Sequence, residues 1–287
     1  MKSNKKKILC GLVVMALGIT ISQAADMFGN PTVIGTPGQF EVQIGGGKST
    51  NLNLDTKATT SMVTIGAISQ TQQISAMTGA IKEDQAFIGA SYTLNNRIQL
   101  LANLGTGKDS GQQSSSRAIS LKISPNTEGS DVKMGLLLRA QQVTIDIEGP
   151  IFTNLQINDG TNVSFWIAPT NGSEQLKYTR MDAFFGASSN SGTVRPYGGL
   201  CLSHITGTDT LSLNDNVTIY TSPVGGGAQT TSTQHVSLNS RADITSKGYF
   251  TGVLGFSINP DNSNLGMTAE IQAGVQRSLM LSGNIKF

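Results

Sequence analysis

The chain ends in QRSLMLSGNIKF, and its side chains alternate up to the last residue. Leu279, Leu281, Gly283, Ile285 and Phe287 share one parity, while Ser278, Met280, Ser282, Asn284 and Lys286 share the other. Successive side chains of a strand point to opposite faces, so this stretch reads as one apolar face backed by a mostly polar one. The ends of soluble domains usually fray. A strand patterned through its final residue is built to be paired along its whole length.

The same period recurs in about ten segments. They fall near 38–46, 84–94, 97–106, 116–124, 132–143, 176–188, 194–206, 247–258 and 263–273, with the terminal strand last. One face carries residues such as Phe40, Ile88, Leu100, Ile119, Leu138, Phe185, Leu200, Leu254 and Ile271. The opposite face carries most of the charge: Glu41, Arg97, Lys122, Lys133, Arg139, Arg180, Asp182, Arg195 and Glu270. Asp84, Arg117, Lys177 and Arg277 have the apolar parity, but each lies within a few residues of a strand end. Tight turns such as Asn95-Asn96 alternate with longer segments at 47–83, 107–115, 144–175 and 207–246, which read as loops rich in Thr, Ser, Asn and Gly. Twelve strands result instead if 59–68 and a neighbour, or 217–220 and 235–239, pair within the wall.

At the other end, Lys2, Lys5, Lys6 and Lys7 precede an apolar run from Ile8 to Ile21, followed by Ser22-Gln23-Ala24. This is the pattern of a secretory signal, with cleavage expected between Ala24 and Ala25. The run is too short to span a bilayer, and no later stretch approaches the roughly 18 apolar residues that a spanning helix needs. Cys10 does not sit in a lipobox. Losing the first 24 residues removes four lysines and no acid, so the formal charge moves from +2 to −2. With no basic run in the remainder, nucleic acid is not an expected partner. Cys201 would be the one cysteine left, so no internal disulfide can form. Charged residues make up only 13% of the chain, and the polarity comes from uncharged side chains, as alternating lumen-facing positions require.

An exported chain of alternating strands that closes on a terminal Phe resembles the Gram-negative outer-membrane β-barrels. The resemblance implies an all-β fold: a transmembrane, antiparallel, up-and-down β-barrel of about ten strands. It makes Phe287 the signal read by the barrel-assembly machinery, and outer-membrane lipid and lipopolysaccharide the surroundings of a monomer. Residues 1–24 are then the signal peptide, 25–37 a periplasmic N-terminal stub and 38–287 the barrel. A soluble β-sandwich would alternate too, but it would not need the export signal, the terminal Phe and the asymmetry of connections together.

Function is less constrained. If the nine inward charges line a lumen, six are basic and three acidic. They either form a small anion-preferring pore or pair with one another and fill a narrow barrel. The expected role is structural or weakly pore-forming, and the alternative is an adhesin acting through the long segments. Hydrolysis ranks last. His204 and His235, with Asp209 and Asp215, could activate water, and omptin-type proteases are ten-stranded barrels of about this length. No residue pattern of theirs carries over, however, and the chain reads as not an enzyme. Gly45-Gly46-Gly47-Lys48-Ser49 lacks the earlier glycine of a phosphate loop, since that position is Val42. No cofactor is expected, and one cysteine with two histidines is too few for a structural zinc site.

Overall fold

The computed structural model describes residues 27–74, 78–109, 112–125, 130–152, 155–166, 169–246, 248–259 and 263–287. The export signal and its cleavage point at Ala24 and Ala25 lie outside these residues. Fifteen strands are present: β1 (Phe40–Thr56), β2 (Thr59–Ile65), β3 (Ile68–Ile74), β4 (Thr78–Asn95), β5 (Ile98–Asp109), β6 (Gln112–Ile123), β7 (Val132–Phe152), β8 (Leu155–Asn158), β9 (Asn162–Trp166), β10 (Pro169–Ser189), β11 (Val194–Pro223), β12 (Thr230–Ser246), β13 (Phe250–Ile258), β14 (Leu265–Gly274) and β15 (Arg277–Lys286).

Ten of them close an antiparallel barrel. The ring runs β1, β4, β5, β6, β7, β10, β11, β13, β14, β15 and back to β1. The terminal strand closes it along ten residue pairs, from Glu41 opposite Lys286 to Thr50 opposite Arg277. At the chain end, Phe287 donates its N–H to the Phe40 carbonyl at 2.8 Å, and the two rings lie 6.3 Å apart. Closure leaves no unpaired edge at that level, as lipid demands.

The outer wall is the apolar face expected from the sequence. Ile88, Leu104, Ile119, Met181, Phe185, Leu200, Leu254, Ile271 and Leu281 are all exposed there. A spanning strand needs about 9–11 residues, and β13, β14 and β15 have 9, 10 and 10. By contrast, β7 and β10 have 21 each and β11 has 30. The excess stands beyond the barrel on the side away from the short turns.

The segments expected as loops at 47–83, 144–175 and 207–246 are therefore mostly strand. β12 takes over the edge of β11 where β13 ends: Val194–Leu202 pair with β13 and Thr206–Thr221 with β12. The far edge of β12 meets β1 at Leu54–Thr56 and β2 at Met62–Ile65. The hairpins β2–β3 and β8–β9 flank this extension. They enclose a core of Val63, Ile65, Ile157, Leu213, Val217, Ile219, Val236 and Leu238. Of the pairings weighed for a twelve-stranded wall, 59–65 does pair with neighbours, while 217–220 pairs with 231–234 and 235–239 with 212–216, all above a ring of ten.

Candidate functional site

Residues 27–35, expected as a periplasmic stub, instead run inside the barrel. Their backbone is gripped by inward-facing side chains from several strands. Glu270 on β14 accepts the Phe28 N–H at 3.0 Å and the Gly29 N–H at 2.8 Å. The same carboxylate accepts the Tyr197 hydroxyl at 2.8 Å and the Gln272 amide at 2.7 Å. Ser124 accepts the Val33 N–H, and Asn30 donates to Ser188. Two inward glycines make room for the chain. A Cβ on Gly135 would collide with the Pro31 carbonyl oxygen, and one on Gly186 would lie 3.1 Å from the Pro31 ring. Gly29 sits at φ +67°, a conformation that suits glycine.

Beside this segment stands a buried ion network. Both Asp182 oxygens are taken: Oδ2 by Arg139 Nε at 2.8 Å and Nη2 at 2.6 Å, Oδ1 by Arg180 Nε at 2.8 Å and the Ser203 hydroxyl at 2.5 Å. Arg180 also donates to Gln276 at 2.6 Å, and Gln276 donates to Ser49 at 2.6 Å. The Arg139 guanidinium lies 4.1 Å over the Phe28 ring, and Phe28 packs on Phe184 with centroids 5.3 Å apart. The segment is thus joined to the network by a cation–π contact.

Apolar side chains fill the remaining interior. Leu137, Phe184, Tyr197, Cys201 and Val253 pack with Phe28, and Phe87 and Met280 pack with Met27. Further towards the extension, Leu54, Val143, Ile145, Tyr178, Ile205, Ile244 and Val275 form another cluster. At the turn end, Glu41, Gln43, Lys122, Asn284 and Lys286 border a polar cavity of about 60 Å³ against the segment. That is room for a few waters.

The nine charges proposed as pore lining divide by position. Lys122, Arg139, Arg180, Asp182 and Glu270 are buried in the lumen. Glu41, Lys133 and Arg195 are half-buried near the turn end, and Arg97 is exposed in the Asn95–Ile98 turn. The buried set therefore holds three cations and two anions, a smaller excess than the sequence count suggests. Sequence reasoning missed Phe28, Tyr197 and Gln276. It also passed over Leu137 and Phe184, which are apolar on the inward parity.

His204 stands apart from the carboxylates, whereas His235, opposite Asn216, neighbours Asp215. The Asp215 carboxyl is held below its usual value by N–H bonds from Asn171 and Asn216 and, to a lesser degree, by His235. His204 faces outward and stacks on Tyr249 with centroids 6.5 Å apart, whereas Asp209, five residues along the same strand, faces inward. His235 is exposed on β12. In the extension, clear of the apolar belt, Asp209 meets Glu174 across the β10–β11 pair. Burial and the neighbouring Asp209 charge push the Glu174 carboxyl up to about 7, and burial raises Asp209 as well.

No family model matches the chain, and no curated protein matches it. Solved structures of similar fold include the translocator domain of the autotransporter NalP from Neisseria meningitidis, 12% identical with a TM-score of 0.38, covering 88% of this chain and 90% of that one. Another is the outer membrane protease OmpT from Escherichia coli, also 12% identical with a TM-score of 0.38, covering 89% and 98%. A FadL homologue from Pseudomonas aeruginosa is 7% identical with a TM-score of 0.28, covering 87% and 90%. The expectation that the chain is not an enzyme is corrected by the second of these, because a barrel of this architecture can be a protease. The chain is a closed, antiparallel, ten-stranded β-barrel of the outer-membrane type.

Proposed function

We propose that the protein is an integral outer-membrane barrel closed by its own N-terminal segment, with the strand-built extension as its working surface. One observation carries this reading: residues 27–35 occupy the lumen and are fixed there by Glu270, Ser124, Ser188 and the Arg139–Asp182–Arg180 network. A ten-stranded barrel encloses little space once its side chains are placed, and here a polypeptide takes the middle of it. The apolar cluster around Tyr178 and Ile205 lies across the route to the extension. A passive anion pore is the less supported reading, since the buried cations already hold partners or stand beside Glu41 and Glu270. The extension is large, ordered by pairing and polar on its outside, as a surface for interaction with other molecules requires.

Single-channel recording on the refolded protein in a planar bilayer tests this. A heat-modifiable band on a gel confirms that the barrel has folded. Closure predicts a silent membrane over that folded material. Stable, ion-selective openings from the unaltered barrel would overturn it.

A further inference from the structure

The outward face of β4 to β10 carries features that the lumen does not explain. Just inside the extension edge of the apolar belt, Ala90 and Ala102 stand side by side on β4 and β5. Ile119 and Ala140 continue the row on β6 and β7. The small side chains leave a furrow among Ile88, Leu104 and Ile119, all of which are exposed. Its volume, about 740 Å³, is within the range of small-molecule sites.

Cations stand at the end of this furrow. Arg117 is in the next row, opposite Gln142 on β7. Its Nε donates to the Gln142 Oε1 at 2.9 Å and its Nη2 donates to the same oxygen, which aligns the guanidinium along the wall. Lys177 on β10 is one row further out, opposite Thr144 of β7. The two cations flank β7 at about two strand spacings, roughly 10 Å, so side chains of their length can converge on one group. Two of the other outward cations are paired: Lys48 with Asp84 at 3.8 Å and Lys57 with Asp243 at 4.0 Å. Among the described residues, Arg117 and Lys177 have no carboxylate within ion-pair distance. A cation left unpaired at the lipid–water boundary, directly above an apolar furrow, matches an anionic headgroup carried on an acyl chain.

We propose that this face is a docking site for a phosphate-bearing, acylated lipid of the outer leaflet, with its phosphate on Arg117 and Lys177 and an acyl chain along the Ala90–Ala102 furrow. The site rests on the outer-membrane setting and is independent of whether the lumen conducts. An Arg held flat against a neighbour presents two parallel N–H groups to phosphate oxygens, and the Lys supplies a mobile point charge. The Thr144 and Thr179 hydroxyls lie between them on the same face.

The test is native mass spectrometry of the refolded barrel in detergent, offered equal amounts of diphosphoryl lipid A and the same lipid with its phosphates removed. The proposal expects retention of the phosphorylated form about tenfold or more above the other. The R117Q/K177Q double variant should abolish that preference while keeping the heat-modifiable band of the folded barrel. Ala102→Leu, which narrows the furrow, should lower retention of the phosphorylated lipid without changing the charge. Equal retention of the two lipids would mean general annular lipid and would overturn the site, as would an unchanged preference in the double variant. Displacement of the bound lipid by millimolar inorganic phosphate would show an anion site with no acyl component, which also overturns the proposal.

Discussion

Asp182 is where the interior is most exposed to a single change. Its side chain has 0% accessibility, and two guanidinium groups, a hydroxyl and a thiol converge on its two oxygens. Asp182→Asn keeps the shape but removes the charge that both arginines share. One amide oxygen can still accept, yet the new NH2 must face a guanidinium or lose its place. Removing one partner of a buried ion pair costs about 3–5 kcal/mol, because the remaining charge stays buried without compensation. Here two cations are left, at 5% and 1% exposure for Arg139 and Arg180, which favours the upper part of that range. Urea unfolding in detergent, followed by loss of the heat-modifiable band, measures the cost at fixed m-value. The R139Q/D182N double variant should recover part of it, giving a coupling well above the 0.5 kcal/mol or so of additive error. A cost below about 1 kcal/mol, the range of an exposed pair, would refute the argument. It would mean that water reaches the network, and hence that the lumen is open at this level.

Gly135→Val should drive residues 30–32 from their seat, because its side chain would occupy the place of the Pro31 carbonyl; brief openings in bilayer recordings, absent from the parent, are the expected result. The carboxyl pair makes the extension sensitive to pH. With Glu174 at about 7 when folded, the folded state binds more protons than the unfolded chain between its ordinary value and 7. Stability is therefore full on the acid side and is lost as pH rises through 7, so amide protection factors in 205–213, corrected for the base-catalysed intrinsic exchange rate, should be higher at pH 5 than at pH 8, and Glu174→Gln should remove that difference. Two arginine substitutions on the outer face locate the bilayer. Ala183→Arg in the belt should cost about 2–4 kcal/mol in vesicles and Thr208→Arg, beyond its edge, about 0–1 kcal/mol; equal costs would refute that boundary.

The ring of ten was legible because lipid imposes one rule on every strand that crosses it. Outward positions across the belt are mostly apolar or small, with His204 opposite Met181 an exception, and a register slip of one residue would turn the polar set outward. Charges of the apolar parity that looked anomalous, Arg117 and Lys177, lie at the belt edge where that rule relaxes. The extension was misread as loops because its alternation has the opposite phase. On β7, Leu136, Leu138 and Ala140 face lipid, but from Val143 onward the apolar residues Val143, Ile145 and Ile147 point inward. On β11 the outward Leu200 and Leu202 give way to inward Ile205, Leu211, Leu213, Val217 and Ile219, with Thr206, Thr208 and Thr210 turned out. The period stays at two while the solvent outside changes from lipid to water, so the strand continues and its apolar side moves to the core. That change of phase is written in the sequence and marks the edge of the bilayer.

The lumen was legible in its charges and illegible in its occupant. Arg139, Arg180, Asp182 and Glu270 announce themselves as charged residues on the face away from lipid. Little in the stretch MFGNPTVIG marks it as lumenal, because its bonds to the wall are made mostly by backbone N–H groups, with one aromatic ring and the Asn30 amide beside them. The signal lay in the wall instead. Leu137, Phe184 and Val253 are apolar on the inward parity, where an aqueous pore would place polar groups, and Gly135 and Gly186 are small on the same parity. Large apolar side chains beside glycines on an inner face describe a packed interior with a chain passing through it. The excess of inward cations pointed towards an anion pore only while every inward charge was assigned to one lumen. Once Arg97, Lys133 and Arg195 are placed at the turn end, the buried charges nearly balance, and near balance is what a lumen that excludes water requires.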